Sequence, residues 1–200
     1  MALAKEINEI RQALQKPALP TSDYDLNPDV VLPKNRKLRP AAVLVALLTS
    51  DEGLQVLLTK RAASLVHHPG QIAFAGGKVE TADNGPVKAA LREAWEEIGL
   101  MQNNVEVLGT LPLHETVTGF NVTPVVGIIK RTFDPKPEPG EVAEVFSVPL
   151  AHVTELARFQ VRSRHWQGSQ RYYQTVPYGP YYIWGATARI LHALAQRLAT

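Results

Sequence analysis

The stretch that decides the fold is GQIAFAGGKVETADNGPVKAALREAWEEIGL, residues 70–100. It divides into an apolar strand, a pair of glycines, a short polar loop and a segment with helical periodicity. Pro86 suits the first turn of a helix, where a missing N–H costs nothing, and Gly99 suits the left-handed residue that ends one. The sequence therefore predicts a helix of about three and a half turns between them.

The predicted helix carries an apolar face and an acidic face. Spacings of three and four place its apolar side chains on one arc that can pack on a core: Val87, Ala90, Leu91, Ala94, Trp95 and Ile98. Glu93, Glu96 and Glu97 are expected to point largely away from that arc, and their carboxylates repel one another by about 0.2–0.5 kcal/mol per pair. The plain interpretation is a solvated acidic face.

Two neighbouring features favour a metal site instead. Arg92 precedes Glu96 by four residues and can orient its carboxylate, while Gly76 and Gly77 permit a tight turn and close backbone approach. Clustered carboxylates beside such a turn suit a hard divalent cation, which typically binds one or two carboxylates, waters and substrate phosphates. We therefore expect transfer of a phosphoryl or nucleotidyl group to water, with Mg²⁺ or Mn²⁺ as cofactor.

These residues resemble a known motif. Gly77 and the run REAWEEIGL at 92–100 are similar to the Nudix box, which is a glycine, five residues, a glutamate, seven residues and then R-E-U-x-E-E-x-G-U, with U a bulky apolar residue. Asp83 stands where the pattern has its first glutamate, one residue farther from Arg92 than usual, and Ala94 is small for its U position. Further segments resemble the coenzyme A pyrophosphatase branch of the Nudix hydrolases: LLTKRAASLVHHPGQIAFAGG at 57–77, TGFNVTPVVGII at 118–129, EVAEVFSVPL at 141–150 and YYIWGATARIL at 181–191.

The resemblance covers roughly residues 40–195 and implies a hydrolase. The implied substrate is coenzyme A or a derivative, cleaved to 4′-phosphopantetheine and adenosine 3′,5′-bisphosphate. ADP-ribose, NADH and nucleoside triphosphates are open alternatives, as is a nucleotide-binding module without activity. Val66 stands where the branch usually has a basic residue, which bears on coenzyme A specificity. Ala75 replaces the proline of F-P-G-G, which bears on the rigidity of the turn.

The resemblance also implies roles for individual residues. The metal is expected to be held by three carboxylates of the helix: Glu93, Glu96 and Glu97. Arg92 is expected to hold Glu96 or Glu97 rather than substrate. Glu141 is expected to add a metal ligand or to act as the base, with Glu144 as the alternative. Six residues are expected to contact substrate: Arg61, His68, Gly76, Gly77, Thr118 and Gly119.

Composition narrows the class of protein. The chain has 200 residues, 45% of them hydrophobic, which suffices for one globular domain with a sizeable core. Its formal net charge of +2 favours neither nucleic acid nor a membrane surface as partner. Without cysteines it has no disulfide and no thiol chemistry. Because no apolar run could span a bilayer and MALAKEINEIRQ has acidic residues where a signal peptide is apolar, we expect a cytoplasmic protein.

Hairpin-linked strands with helices around them predict an α+β fold, specifically a Nudix-type α/β/α sandwich with a mixed β-sheet. Residues 1–39 are expected to form an N-terminal helix and an extended arm, and residues 40–200 the hydrolase domain. Because the arm has no evident place in the core, a homodimer is an open alternative. Strands are predicted at 41–48, 54–58, 105–111 and 122–130, with Pro124 placing the last at an edge or a bulge, and a terminal helix is predicted at 186–198.

A basic and aromatic stretch lies near the C-terminus. Between residues 157 and 171 there are four arginines, one histidine and no acidic residue, and Tyr172 and Tyr173 follow. Three interpretations are open: a patch for the phosphates of a small-molecule nucleotide, an oligomer contact, and a nucleic-acid surface, which the near-neutral net charge disfavours. The polar segment 112–121 is predicted to be a loop at the mouth of the pocket, and Trp184 to belong to the core.

Overall fold

The computed structural model of the protein describes residues 2–33, 35–166 and 168–199. Within these ranges the chain forms four α-helices and eleven β-strands, in this order: α1 (Ala2–Gln15), β1 (Thr21–Ser22), β2 (Arg39–Ser50), β3 (Gly53–Arg61), β4 (Ile72–Ala73), β5 (Ala75–Lys78), α2 (Pro86–Ile98), β6 (Val105–Thr110), β7 (His114–Glu115), β8 (Phe120–Ile129), β9 (Val142–Pro149), α3 (Leu150–Thr154), β10 (Gln160–Trp166), β11 (Ser169–Thr175) and α4 (Ala186–Leu198). None of the helices in these ranges is long and apolar enough to cross a membrane.

Nine of the described strands form one mixed sheet, with the order β1-β7-β8-β2-β3-β4 and with β5, β6 and β9 paired to β2, β8 and β3. The pairs β1–β7 and β2–β8 are parallel, and the others are antiparallel. β10 and β11 form a separate antiparallel hairpin. The predicted hairpin near the start of the domain is confirmed as β2–β3.

Strand β2 shows how the layers are arranged. Val45 and Leu47 pack into a core shared with α1, α3 and α4, whereas Leu44 and Ala46 pack into a second core shared with α2. Because helices cover both faces, the strand is a continuous apolar run rather than an alternating one. Burial of each of these valine and leucine side chains contributes about 1.5–3 kcal/mol. The predicted α/β/α sandwich around a mixed sheet is confirmed.

Helix α2 has the predicted bounds and buries most of the predicted apolar arc, but two of its residues depart from the prediction. Gly99 ends it with φ 72° and donates its N–H to the Trp95 carbonyl at 2.9 Å. Trp95 was expected in the core but is 50% exposed, while Glu97 was expected to face outward but is only 5% exposed. Glu97 follows Ala94 by three residues and Ala90 by seven, which places it on the buried side of the helix. Trp95 is turned about 100° from Ala94 around the helix axis, which leaves its side chain half exposed to solvent.

The glycine pair lies in a strand rather than in a tight turn. Gly76 and Gly77 belong to β5, where they pair with Val43 and Ala42. A Cβ atom at Gly76 would collide with the backbone of β2, and one at Gly77 would collide with the carboxylate of Glu93. The expected close approach is therefore present, but its physical reason is clearance for β2 and α2, not a left-handed backbone.

The N-terminal helix packs on this domain. Ile10 and Ala13 of α1 are buried, and Ile10 belongs to the core beside α4. The arm that follows turns at residues 23–26, and its strand β1 joins the sheet by pairing Thr21 with His114. The segment thus has a place within its own chain, so it gives no argument for a homodimer. The terminal helix α4 has the predicted bounds, and it buries Ile190 and Leu191.

Pro124 was expected at an edge or a bulge, yet β8 is an interior strand with β2 on one side and β6 and β7 on the other. The carbonyl of Pro124 accepts the N–H of Leu111 at 2.9 Å, just where β6 has ended and β7 has not begun. The carbonyl and the missing N–H of one strand residue point to the same side. The position without a donor therefore faces a gap between partner strands, so the sheet tolerates it.

Candidate active site

Arg92 organises the polar face of α2. Its Nε and Nη2 atoms donate to the carboxylate of Asp83 at 2.7 and 3.0 Å. Its Nη1 atom donates to Glu93 at 2.9 Å and to Glu96 at 2.8 Å. Sequence reasoning anticipated the contact with Glu96, but not that with Glu93, and Arg92 holds neither oxygen of Glu97. One guanidinium thus sets the direction of three carboxylates.

Asp83 is the residue at which this chain departs from the Nudix pattern. It ends a short 3₁₀ turn, Thr81–Asp83, and accepts the backbone N–H of Glu80 at 2.7 Å. Its hydrogen bonds from Arg92 and Glu80 hold the pKa of the Asp83 carboxyl below its usual range. Asp83 therefore fixes Arg92 from the side opposite Glu93 and Glu96, and the eight-residue spacing to Arg92 is accommodated by the turn.

Glu97 is the most deeply buried carboxyl of the helix. Burial, together with the negative charges of Glu93 and Glu141, raises its pKa to about 8, against the opposing effects of the Arg61 charge and the Gly76 N–H. Burial also raises the pKa of Glu93, against hydrogen bonds from Arg92. A neighbouring cation would ionise both groups, because it offsets the desolvation and repulsion that now favour their neutral forms.

The carboxylates have the chemistry of a divalent-cation site, but they are not gathered into one. No group of three acidic or histidine side chains in the described ranges is arranged closely enough to hold a metal ion. The physical reason is that Glu93 and Glu96 are turned toward Arg92 while Glu97 is buried against β5. Oxygen donors with raised pKa values nevertheless fit Mg²⁺ or Mn²⁺, both of which prefer carboxylate ligands.

Two further side chains lie beside this helix. The charge of Arg61 lowers the pKa of Glu97, which places the guanidinium near that carboxyl. Its Nε atom is buried and forms no hydrogen bond within the described protein. Glu141 raises the pKa of Glu93 and Glu97 and so lies close to both. We use the name glutamate site for this group of side chains: Arg61, Arg92, Glu93, Glu96, Glu97 and Glu141.

Glu144, the alternative to Glu141, is engaged elsewhere. Its carboxylate accepts a short hydrogen bond from the hydroxyl of Tyr181, and the Tyr181 ring stacks on Phe146 with centroids 3.6 Å apart. That hydrogen bond also raises the pKa of the Tyr181 hydroxyl. The structure therefore brings Glu141, rather than Glu144, to the carboxylates of α2.

A second feature, which we name the arm cavity, lies apart from the glutamates. It has a volume of about 160 Å³ and is bounded by the arm at residues 22–27, the β10–β11 hairpin and the start of α4. His68 and Thr118 line it, whereas the carboxylates of α2 do not. Gly119 forms the neighbouring turn with φ 80°. The six residues expected to contact substrate are thus divided: Arg61, Gly76 and Gly77 at the glutamate site, and His68, Thr118 and Gly119 at the arm cavity.

His68 lies between the two features. Burial lowers the pKa of its imidazole first, and the charges of Arg61, His67 and Arg164 lower it further, while Asp23 opposes them. Arg61 belongs to the glutamate site and Arg164 lines the arm cavity. Because both act on one imidazole, His68 joins the two features electrostatically and is favoured in its neutral form.

Sequence reasoning missed the hydrogen bonds that hold the arm. His114 is fully buried in β7, in a segment expected to be loop, where Nδ1 bonds the Thr21 hydroxyl at 2.9 Å and Nε2 bonds Asp23 at 3.2 Å. The Asn27 amide bonds both the N–H and the carbonyl of Tyr172 at 2.9 Å. The polar residues of an extended arm were the available signal, but no periodicity pairs them with residues about 90 to 145 positions later.

Comparisons with known proteins agree with this fold. A model of the NUDIX domain matches residues 38–172, and the chain belongs to the Nudix hydrolase family. The chain is 45% identical over 161 residues to the uncharacterized Nudix hydrolase NudL of Cronobacter sakazakii, and the match covers 80% of this chain and 83% of the relative. NudL of an Enterobacter species is 40% identical over 187 residues, covering 88% and 96%.

A solved structure supports the same assignment. The crystal structure of the Nudix hydrolase RenU from M. smegmatis is 26% identical, with a TM-score of 0.50, and the match covers 60% of this chain and 75% of that one. The predicted family and hydrolase class are therefore confirmed. The names of the relatives do not specify a substrate.

Proposed function

We propose that the protein hydrolyses the diphosphate linkage of coenzyme A or its derivatives, giving 4′-phosphopantetheine and adenosine 3′,5′-bisphosphate. Family membership supports the reaction class. The segments 57–77 and 118–129, which resemble the coenzyme A branch, support the substrate. The observation that carries the proposal is the position of Arg61, whose buried Nε has no hydrogen-bond partner among the described residues and whose charge acts on Glu97. A guanidinium beside carboxylates suits a diphosphate shared with a divalent cation.

The proposal gives each residue of the glutamate site a task. Nudix hydrolases generally use divalent metal ions, and Mg²⁺ or Mn²⁺ would be held here by the carboxylates of α2: Glu93, Glu96 and Glu97. When bound, such an ion supplies Lewis-acid stabilisation of charge on the phosphate oxygens. Arg92 keeps Glu93 and Glu96 oriented, and Arg61 binds phosphate oxygens. Gly76 lets β5 lie close to β2, and Gly77 leaves room for the carboxylate of Glu93.

The reaction itself balances with water alone. The oxygen of water bonds to one phosphorus atom, the P–O bond to the bridging oxygen breaks, and its electron pair leaves with the second phosphate. Glu141 accepts the proton of the attacking water, since it lies beside Glu93 and Glu97 without the hydrogen bond that occupies Glu144. The barrier falls mainly because developing negative charge meets cations that are already in place.

Val66 is compatible with this substrate. It replaces a residue that is usually basic in the coenzyme A branch, but its side chain is 89% exposed and does not line the arm cavity. Arg164 and Arg171 line that cavity instead. The positive charge that a phosphorylated substrate needs is therefore available from a different part of the chain.

Product analysis tests the proposal. The purified protein is incubated with Mg²⁺ or Mn²⁺ and with coenzyme A, acetyl-coenzyme A, ADP-ribose, NADH and nucleoside triphosphates, and products are identified by mass spectrometry. We expect 4′-phosphopantetheine and adenosine 3′,5′-bisphosphate from coenzyme A, and none from Glu97→Gln prepared in parallel. Faster cleavage of another substrate would refute coenzyme A as the substrate, and no cleavage of any of them would refute the activity.

A further inference from the structure

The arm cavity has the size and lining of a site for an aromatic ring. A cavity of about 150 Å³ accommodates one small aromatic ring, and this one is about 160 Å³. Its lining is mostly apolar, and it includes Tyr24 on the arm, Tyr172 and Tyr173 on β11, and Trp184 before α4. Tyr173 meets Trp184 edge to face with centroids 5.2 Å apart, so these two rings are held in place.

The same cavity is strongly cationic. Arg164 on β10 and Arg171 on β11 line it and stand directly opposite each other in the hairpin. Like charges at directly opposed positions destabilise an antiparallel pair. Arg164 is held over the ring of Trp184 at 4.5 Å. An anion between the two guanidinium groups would relieve their repulsion.

Two buried polar atoms at this site have no partner in the described protein: Nε of Arg171 and Oε1 of Gln174. A buried donor or acceptor without a partner costs about 1–3 kcal/mol. The Arg171 donor calls for an anion, and the Gln174 acceptor calls for an N–H or O–H group. A ligand with an aromatic ring, an amino group and a phosphate would satisfy both.

The charged residues on the opposite wall have hydrogen-bond or ion-pair partners within the protein. Asp23 accepts from His114 and from the N–H of Val117 at 3.0 Å. Arg189 on α4 pairs with Asp25 at 2.7 Å. With Arg189 paired, the two arginines of the β10–β11 hairpin outnumber the one carboxylate in the lining, that of Asp23, and the cavity is net positive. This asymmetry favours an anionic ligand over a neutral or cationic one.

The cavity also adjoins the glutamate site. Its lining residue His68 responds to the charge of Arg61, and its lining residue Trp184 also bounds a neighbouring cleft that includes Lys60 and Gly70. Lys60 directly precedes Arg61 on β3. His68, which lines the cavity and responds to the charge of Arg61, is the residue that links the two features.

We propose that the arm cavity binds the phosphorylated nucleoside end of the substrate, with the base against Trp184 and its neighbouring tyrosines and a phosphate monoester between Arg164 and Arg171. The choice of ligand rests on the proposed function, because one product of that reaction, adenosine 3′,5′-bisphosphate, has this chemistry. The site selects substrates that carry a phosphate beyond the diphosphate that is cleaved. It thereby separates coenzyme A from ADP-ribose and NADH.

Direct binding in the absence of turnover tests this inference. Titration calorimetry in EDTA measures the affinity of the folded protein for adenosine 3′,5′-bisphosphate, adenosine and inorganic phosphate. We expect the bisphosphate to bind at least about tenfold more tightly than adenosine or phosphate alone, since it combines the ring contact with charge-assisted hydrogen bonds to the arginines. Arg171→Gln and Trp184→Leu should each weaken that binding about tenfold. Arg158→Gln, an exposed arginine paired with Glu155 outside the cavity, is the matched control.

The outcomes separate this inference from the proposed function. Equal affinity of wild type, Arg171→Gln and Trp184→Leu for the bisphosphate would overturn the inference, as would an equal loss in Arg158→Gln. Circular dichroism and thermal melting establish whether each variant is folded. If Arg171→Gln does not fold, Trp184→Leu tests the site. If the bisphosphate binds as expected but coenzyme A is not cleaved, the site stands and the proposed function fails. If coenzyme A is cleaved and its KM is unchanged in both variants, the proposed function stands and the inferred site fails.

Discussion

The glutamate site and the arm cavity are built in opposite ways. The glutamate site takes most of its groups from one helix, where Arg92 orients the carboxylates of Glu93 and Glu96. The arm cavity takes its groups from the arm, β10–β11 and the residues before α4, which are separated by up to about 160 positions in the chain. The first is anionic and organised by local spacing, and the second is cationic and aromatic and organised by long-range contacts.

This difference indicates which of the two features carries the reaction and which selects the substrate. Carboxylates at helical spacing can be brought together by local geometry, so a catalytic motif can be compact in sequence. A pocket for a large substrate needs walls on several sides, which requires elements that meet only in the folded chain. We therefore expect variants of the glutamate site to reduce kcat and variants of the arm cavity to raise KM.

The largest effect should come from Glu97→Gln. Removing the charge of this buried carboxyl should lower kcat by at least about 100-fold, the scale of losing one electrostatic contact in the transition state. Its affinity for adenosine 3′,5′-bisphosphate in EDTA should stay as in wild type, because Glu97 does not line the arm cavity. Steady-state kinetics and calorimetry measure both quantities, with the exposed Glu52→Gln as control. Full activity in Glu97→Gln would mean that the site is misplaced.

Alanine substitutions of the two adjacent glycines should distinguish a loss of stability from a loss of catalysis. Alanine at Gly76 meets the backbone of β2, which cannot move aside, so Gly76→Ala should lose about 1–3 kcal/mol of stability. Alanine at Gly77 meets the carboxylate of Glu93, which can swing away. Gly77→Ala should therefore lose less stability but about 10–100-fold in kcat. Thermal melts and kinetics on both variants decide the matter, and equal losses of stability would contradict this assignment of roles.

A smaller effect is expected in the arm cavity from Arg164→Gln. The guanidinium lies 4.5 Å over the ring of Trp184 and faces Arg171 across the hairpin. Because Arg164 is exposed, losing its proposed contact with the substrate phosphate should raise the KM for coenzyme A about 2- to 5-fold, the scale of an exposed ion pair, with kcat unchanged. Arg158→Gln is again the comparison. A fall in kcat without a change in KM would show that the two features do not divide their tasks in this way.

The smallest effect concerns pH, and the two features should show opposite signs. The pKa of Glu97 is raised from 4.5 to about 8, so the folded state keeps a proton that the unfolded state releases, and the free energy of unfolding falls as pH rises across that window. The pKa of His68 is lowered from 6.5, so the unfolded state takes up a proton first and the free energy of unfolding falls as pH drops below 6.5.

Urea unfolding of the metal-free protein between pH 5 and 8.5 measures these slopes. Glu97→Gln should remove the loss of stability toward high pH, and His68→Gln should remove part of the loss toward low pH. Each substitution removes the titration of one proton, so its effect on the free energy of unfolding is modest compared with the kinetic effects. A slope that is the same in wild type and in both variants would show that neither group titrates as its surroundings indicate.

Much of the fold was predictable because its signals are local. Pro86 and Gly99 set the bounds of α2, since proline fits the first turn and glycine the left-handed end. The apolar runs of β2 and β3 and the face of α4 were recognisable in the same way. The buried side of α2 was misjudged at Trp95 and Glu97, because periodicity defines an arc but not how far the helix is rotated on the sheet.

What the sequence alone determined is the Nudix box: its glutamates, the arginine that orients them, and the clearance given by the glycine pair. These follow from helical spacing and backbone sterics, which act over a few residues. Only the tertiary structure decided that the arm binds His114 and the β10–β11 hairpin, and that Trp184 and two opposed arginines line a cavity. Those contacts depend on which distant elements pack together, and no local pattern records that choice.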